Sequence, residues 1–568
     1  MKHFFSLLSS ALLAFILLAL RLPAAAQAPV WRSARAVAVA TAAAATNYSS
    51  VTATAVDATG NVYLAGNFTN TVVLGSTTLT SLGDYDVFVA KFNSVSNQFV
   101  WVQRAGGMEY ERATALAVSG SSVYVAGFFA SSTASFGTTT LTNSLPSTYD
   151  AFVAKLTDAG STGGFVWAQR AGGTGDDGIN ALAVSGTSVC VAGNFASSTV
   201  PFGTTTLTSA GGSDVFVAKL TDLGSTGSFV WAQRAGGMGN EYARTLAVSG
   251  SSVYVSGFFL SAMASFGATT LTNAGYQDVF VAKLTDSGST GSFVWAQQAG
   301  GTGDDSATAL AVSGTSVYVA GTFSSPTANF SLTTLTNAGN QDVFVARLTD
   351  AGSTGSFVWA RRAGGTGTEY ATSLAVSGTN VYMAGYFGSL TIDFGSITLA
   401  NAGMASTYDV FAAKLTDVGS MSNVAWAQRA GGTDNDFATA LTLSGTNVYV
   451  AGTFSSLTAN FGPTALSNPN SNSLGYLASL TDPTLTPTVP SRTLAPAQLF
   501  PNPARHTATL RLPAGTAPAP MALTDALGRA VRQYRAPVGS EAVLDLQGVP
   551  AGLYLLRGAG PGQRLAVE

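Results

Sequence analysis

The sequence predicts an all-β protein whose larger part is a seven-bladed β-propeller of four-stranded antiparallel blades. Three observations carry that expectation. Val, Thr, Phe and Tyr are abundant while charged residues make up only 10% of 568, a composition suited to sheets rather than helices. Tryptophan recurs at Trp31, Trp101, Trp167, Trp231, Trp295, Trp359 and Trp426, at spacings of 70, 66, 64, 64, 64 and 67, and a period of that size marks a repeat architecture. The first repeated segment is a lone Trp strand, and the last repeat stops after three strands. The N-terminal strand is thus expected to complete the last blade and close the ring, which removes exposed sheet edges.

Residues 1–26 read as an export signal. Lys2 supplies the positive start, and 7–20 is a largely apolar run interrupted by Ser9 and Ser10. The run is short of the ~20 residues that span a bilayer, and Ala26 offers a small residue for cleavage. No later segment is apolar enough to cross a membrane.

Residues 27–482 hold the repeats. In the clearest copies a strand over 307–313 follows a Gly-rich acidic turn, and a second over 316–323 follows a tight Ser-Gly turn. A third is expected over 278–284, and a fourth, bearing the Trp, over 293–297. Short apolar runs closed by Gly, Ser and Asn read as buried strands. The third is apolar on both faces, as expected of a covered sheet. In an antiparallel meander the 18–20-residue connection between strands two and three opens on the same face as the acidic turn. Variable loops on a rigid frame commonly carry binding, so this is the expected ligand face.

Charge narrows the function. The formal net charge is −3, yet the last seventy or so residues carry seven Arg against four acids, and Lys2 and Arg21 lie in the signal, leaving about −8 for the middle. A nucleic-acid-binding face would need the opposite sign. The single cysteine, Cys190, stands where sister copies have Tyr124 and Tyr318, so it reads as a small buried hydrophobe. The histidines are His3 and His506, which leaves the repeats without His-based zinc sites or Ser-His pairs.

The most regular polar feature is a carboxylate in the turn before strand one: Glu111, Asp177, Glu241, Asp305, Glu369 and Asp436, with Ser50 in the first repeat. Glu109, Asp176, Asp304 and Asp434 lie nearby. Around a channel mouth such a set could hold a hard cation such as calcium. The competing reading is that each carboxylate accepts backbone N–H bonds and fixes its own turn, and repetition in nearly every blade favours it. A second set is Asp86, Asp150, Asp214, Asp278, Asp342 and Asp409, followed five residues on by Lys91, Lys155, Lys219, Lys283, Arg347 and Lys414. An odd separation puts the two groups on opposite faces of a strand, so both are expected to hydrogen-bond between blades. Arg104, Arg170, Arg234, Arg362 and Arg429, with Gln298 as the exception, read as rim positions.

Residues 483–496 form a Pro/Thr-rich extended linker. Residues 497–568 form a separate small β domain, with strands expected over 507–512, 521–525, 542–546 and 553–557. Its landmarks are a Pro501-Asn502-Pro503 turn, a Gly528-Arg529 hairpin, and Gly552 before a strand bearing Tyr554.

Two resemblances accompany these readings. The pattern GGTGDD…ALAVSGxxVYVAGxF…DVFVAKL, present across all seven units, resembles the SBBP family of bacterial β-propeller repeats. The weakest copies have Thr46-Asn47-Tyr48 and Gly475-Tyr476-Leu477 at the motif positions. The tail's three landmarks, in that order, resemble the type A sorting domain of the type IX secretion system of Bacteroidetes. That resemblance implies an immunoglobulin-like sandwich, recognition by the secretion machinery, and release or attachment at the outer cell surface.

The expected function is a secreted or surface-held, non-catalytic binding or scaffold module without a cofactor, its partner a glycan or an envelope protein. Two alternatives stand beside it: a polysaccharide hydrolase or lyase using channel-mouth carboxylates, and a structural or adhesive surface component.

Overall fold

The structure, a computed structural model, describes residues 28–40, 48–470, 472–485, 498–511, 520–525, 529–535, 541–558 and 560–568. The expected signal over 1–26, most of the linker, and Gly528 lie outside the described residues. Among the described residues every helix or strand element is a strand. The chain divides into two compact units, Met1–Pro487 and Thr488–Glu568.

The first unit repeats one antiparallel sheet. In a central copy the strands are Asp305–Ser313, Ser316–Phe323, Asp342–Asp350 and Gly355–Ala363, in that spatial order. The second and third strands are buried along nearly their whole length, as their two-faced apolar sequences require. The tight turn between strands one and two places Gly314 at φ 60°, where a Cβ would be strained. Strand one bulges between Ala307 and Ala309, and a Cβ on the facing Gly321 would lie 2.0 Å from the Ser306 carbonyl oxygen.

Six of the seven sheets are four-stranded, the seventh carries an added hairpin, and none closes on itself. In the last, Asp436–Ser444, Asn447–Phe454 and Leu474–Thr481 are joined by the N-terminal strand Trp31–Val37. The expected pairing is present, but its register differs from the Trp spacing. Trp31 faces Leu480, as Phe293 faces Leu284, whereas Ser33 faces Ser479, as Trp295 faces Lys283. Trp31 therefore fills the place of the Phe that recurs in other repeats, with its ring 5.3 Å from Phe461, and Ser33 stands in the Trp position. A bulge between Trp31 and Ser33 matches the bulge that the other units have between Phe and Trp.

The long connection between strands two and three is a pinned hairpin rather than a free loop. In the central copy it is Thr327–Phe330 with Thr333–Thr336. Asn329 exchanges two backbone hydrogen bonds with Gly300, at 2.8 and 3.2 Å, at the end of the preceding unit's strand four. Phe330 is buried against Phe344 and Phe357.

Units are tied to one another at two levels. On strand one, the hydroxyls of Thr52, Thr114, Thr308 and Thr372 donate to Ala113, Ile179, Ala371 and Ala438 carbonyls of the following unit, at 2.6–2.9 Å. Asn180 donates likewise to Ala243, and Thr439 donates back to Val51 of the first unit at 2.5 Å. Further out, one Asp of each following unit gathers donors from the unit before. Asp158 accepts from Tyr63, Lys91 and Trp101. Asp222, Asp350, Asp417 and Asp482 are contacted in the same way by a Tyr, a Lys or Arg and a Trp. At Asp286 the Tyr place is taken by buried Cys190, whose thiol burial pushes up to about 12. The lysine series thus bridges units, as expected. The Asp86 series does not: Arg104 pairs with Asp86 inside one unit, and the same holds for Asp150, Asp214, Asp342 and Asp409 with their own Arg residues. The pairing partner is the rim Arg on the adjacent strand, because antiparallel pairing sets Phe88 opposite Arg104, two residues from Asp86.

In the second unit, Gln498–Phe500, Thr507–Arg511 and Glu541–Asp545 form one sheet, and Ala530–Tyr534, Met521–Thr524, Gly552–Gly558 and Gly560–Val567 form another. Leu510, Leu544, Leu523, Leu556 and Leu565 from both sheets share one buried core. Asn502 bonds one edge of the last strand at two points, donating to the Arg564 carbonyl and accepting from Ala566 N–H. Pro501 and Pro503 flank it in the same turn. Arg529 closes its turn on Asp525, and the Tyr554 hydroxyl donates to the Pro550 carbonyl at 2.7 Å.

Candidate functional site

One cavity of about 750 Å³ is lined by strand one of every repeat, through Thr52, Thr114, Asn180, Arg244, Thr308, Thr372 and Thr439. A narrower space of about 270 Å³ shares Thr52, Asn180, Arg244 and Thr439 with it. The inward positions follow from strand alternation: the residue three places after each turn carboxylate lines the cavity, and in three repeats so does the residue one place after it. Arg112, Ser306 and Tyr370 supply the nearer place. Tyr276, Gln277, Asp304 and Gln341 line it where the acidic turns meet strand three, so it lies at the acidic-turn end of the strands.

Two departures from sevenfold equivalence give the cavity its chemistry. Five repeats have Thr, and one has Asn, at the third place, where they hold the next unit's backbone. Arg244 replaces them, and its guanidinium lies 5.3 Å from the Phe258 ring and 5.6 Å from the Tyr242 ring. Arg244 is exposed to solvent at the cavity, yet the protein packed around its guanidinium, with the nearby Arg112 charge, pulls its pKa below the ordinary arginine value although Tyr242 opposes this. Arg112 is the second cation. Among the described residues neither guanidinium has a carboxylate partner within ion-pair distance. Half-buried aromatics surround this end of the strands: Tyr85, Tyr110, Phe128 and Tyr149 form one cluster, and Tyr370, Tyr386, Tyr408 and Phe437 another.

The six turn carboxylates lie behind this cavity, not in its lining. Glu111, Asp177, Glu241, Asp305, Glu369 and Asp436 are at most 1% exposed. Each accepts the N–H of a Gly four residues earlier: Gly107, Gly173, Gly237, Gly301, Gly365 and Gly432, at 2.6–3.0 Å. Each also accepts the N–H of a Ser about twenty residues later. The carboxylate so joins its own turn to the start of the hairpin. Ser49, facing Phe68 as Glu111 faces Phe129, holds this place in the first repeat, and Ser50 lies one residue further on. Burial raises every one of these acids, and pushes Asp177, Glu369 and Asp436 to about 6 despite the hydrogen bonds that oppose it. The Asp86-series charge nearby adds to the rise for Glu111. A Cβ on Gly106, at φ 153°, would lie 2.4 Å from Asp86 Oδ1 and 3.0 Å from Glu111 Oε2, so only glycine fits between the two carboxylates. Among the described residues no three His, Cys, Asp or Glu side chains are grouped to hold a metal ion.

Two sets of polar residues escape a reading for motifs. The junction acids Asp158, Asp222, Asp286, Asp350, Asp417 and Asp482 recur at the C-terminal end of strand three, and that recurrence is the signal for them. Arg112 and Arg244 have the opposite signature, since each is a break in the repeat at an inward position.

Residues 498–564 match the family of secretion system C-terminal sorting domains. The tail is a type IX secretion sorting domain. The protein is therefore secreted or attached to the cell surface, and the tail engages the secretion machinery. Among curated proteins the chain is similar to the regulatory protein FlaEY of Caulobacter vibrioides, with 27% identity over 360 residues. That match takes in 60% of this chain and 36% of FlaEY, so the chain spans little more than a third of that relative. Among solved structures it is similar to a protein from Lactobacillus plantarum, with 11% identity, a TM-score of 0.37, and coverage of 88% of this chain and 99% of that one. A protein of unknown function from Dyadobacter fermentans has 10% identity, a TM-score of 0.36, and coverage of 80% and 100%.

Proposed function

We propose that the seven sheets are the blades of a seven-bladed β-propeller of the SBBP repeat type, and that the exported propeller is a non-catalytic binding module. The observation that carries this reading is a polar cavity to which all seven repeats contribute. The Thr439 bond back to Val51 and the N-terminal strand in the last sheet support the ring. The ligand face is the acidic-turn end, where the cavity is bordered by aromatic clusters on rigid strands and pinned hairpins. Binding sites are typically concave, with a few convergent polar groups. The six turn carboxylates, an acid/base pair's natural candidates, are spent on backbone N–H groups, and this favours binding over hydrolysis. A glycan or an envelope protein is the partner, and the sorting tail delivers the module to it.

The test is a screen of the exported protein on a glycan array and against solubilised envelope fractions. Saturable binding is expected, and Thr308→Trp, which projects an indole into the cavity, is expected to weaken it. Release of new reducing ends or unsaturated uronates from a polysaccharide would overturn the non-catalytic reading. The absence of any saturable partner would leave a structural surface component.

A further inference from the structure

The acidic-turn end was expected to carry a negative field, but the cavity there presents two unpaired cations. Arg112 and Arg244 line the same cavity. Among the described residues no carboxylate lies within ion-pair distance of either one. Elsewhere in the repeats the arginines of the rim are neutralised: Arg104, Arg170, Arg234, Arg362 and Arg429 each hold a buried Asp. Arg361 instead donates to Ser422 Oγ. The one acid in the cavity lining is Asp304, an exposed group.

Both side chains are solvent-exposed on strand one and so open to a ligand in the cavity, where two like charges favour an anion as counter-charge. Arg244 also gives up the bond that its counterparts make to the next unit. In exchange its guanidinium is held over Phe258 and Tyr242, which fixes its direction and leaves its N–H groups free toward the cavity. An arginine fork matches a carboxylate or sulfate in two-point geometry. Around the pair, Thr114, Asn180, Thr308 and Gln277 offer neutral donors and acceptors, and Tyr276, 66% exposed, offers an open ring face. Neutral hydroxyl-matching groups with an exposed aromatic face suit a sugar better than an acidic peptide, which would need apolar pockets for its other side chains.

We propose that the cavity binds an anionic oligosaccharide, whose carboxylate or sulfate group is held by Arg112 and Arg244 and whose ring lies against Tyr276. This rests on the binding-module reading above and names the ligand class for it. A uronate and a sulfated sugar present the same anionic oxygens, so both are to be used as probes.

The experiment is calorimetry on the exported protein with hexagalacturonate, a chondroitin sulfate hexasaccharide, and uncharged maltohexaose and cellohexaose. Binding of at least one anionic probe is expected, with affinity falling as salt rises. Arg112→Gln and Arg244→Gln should each weaken it at least tenfold, while their melting temperatures stay within a few degrees of the parent. Arg361→Gln, outside the cavity lining, should leave it unchanged, and Arg244→Lys should restore only part of the loss. Hexagalacturonate binding alone identifies a uronate ligand, and chondroitin sulfate binding alone a sulfated one. Equal binding of the neutral probes, or anionic binding that survives both Gln variants, overturns the anion site and leaves the binding module standing. If none of the four probes binds, the proposal is wrong for this cavity, while the array screen decides the module reading separately.

Discussion

The Trp295 indole donates its Nε1–H to Asp350 Oδ1 at 3.1 Å, across the junction between two consecutive repeats. The same carboxylate accepts from Lys283 and Tyr254 at 2.6 Å, and the flat face of the indole packs where Gly355 leaves no Cβ. Strands two, three and four of one repeat thus converge on a single acid of the next.

Removing the indole removes both packing and a bond. Trp295→Ala is expected to destabilise by ~3–5 kcal/mol, read as a shift in denaturation midpoint. Asp350→Ala is expected to cost a similar ~3–5 kcal/mol, because it leaves the buried Lys283 ammonium unpaired. Trp295→Phe should cost less than either. An unchanged midpoint for Trp295→Ala would mean that the junctions do not hold the repeats together.

The two kinds of buried acid respond to pH in opposite senses. Burial raises Asp436 to about 6, above its unfolded value, so the folded state binds the proton more tightly. The stability this gives is fully present below about pH 4 and is lost as pH rises through 6. Burial also acts on Asp482, but the Thr484 N–H and the Lys414, Thr484 and Tyr382 hydrogen bonds outweigh it and hold that acid at about 2. Its contribution is present above about pH 4 and is lost as pH falls through 2. Asp436→Asn, which mimics the protonated acid, should therefore compare better with the parent at pH 7.5 than at pH 4, by on the order of 2–3 kcal/mol. Urea melts of both proteins at the two pH values check this, and a gap that does not change with pH would refute it.

The junction between the last repeat and the first lacks the Trp clamp. Ser33, Ser479 and Ser94 stand in the places of Trp, Lys and Asp. A small cavity of about 80 Å³, lined by Ser33, Arg35, Phe92 and Asn97, lies there. Asn97 holds the place of the glycines against which the Trp101, Trp167, Trp231 and Trp295 indoles pack, and has φ 55°. Ser33→Trp alone should clash with the Asn97 side chain and destabilise. Ser33→Trp with Asn97→Gly should recover that loss and exceed the parent, by ~1–2 kcal/mol for the apolar surface newly buried. A double-mutant cycle measures the coupling, and strict additivity of the two changes would contradict the register described here.

Chelator treatment tests the acidic turns directly. If their carboxylates serve only backbone N–H groups, EDTA should leave the melting temperature unchanged, and calcium titration should give no heat. Glu241→Gln should destabilise by ~1–3 kcal/mol equally with and without calcium, as expected when an amide NH2 replaces an oxygen that accepts a backbone N–H. A calcium-dependent melting temperature would restore the cation reading.

Much of this protein is legible in the order of its residues. The repeat period, the four strands per repeat, the all-β class and the sorting tail all follow from local signals: apolar runs, Gly turns and landmark motifs act over a few residues, and repetition amplifies them. The turn carboxylates, too, could be weighed as turn fixers because they recur in nearly every repeat. What strand pairing alone decided is of another kind. Trp31 looks like the first of seven equivalent tryptophans, yet a two-residue register difference puts it in a Phe position, since pairing partners and not spacing define equivalence in a sheet. Asp86 meets Arg104, and Lys91 meets Asp158, because side chains far apart in sequence become neighbours only across strands and between repeats. The inward turn of Arg112 and Arg244 into one shared cavity also depends on every repeat being in place. Local sequence sets which face of its strand each arginine occupies, and only the assembled sheets bring the two charges together without a partner.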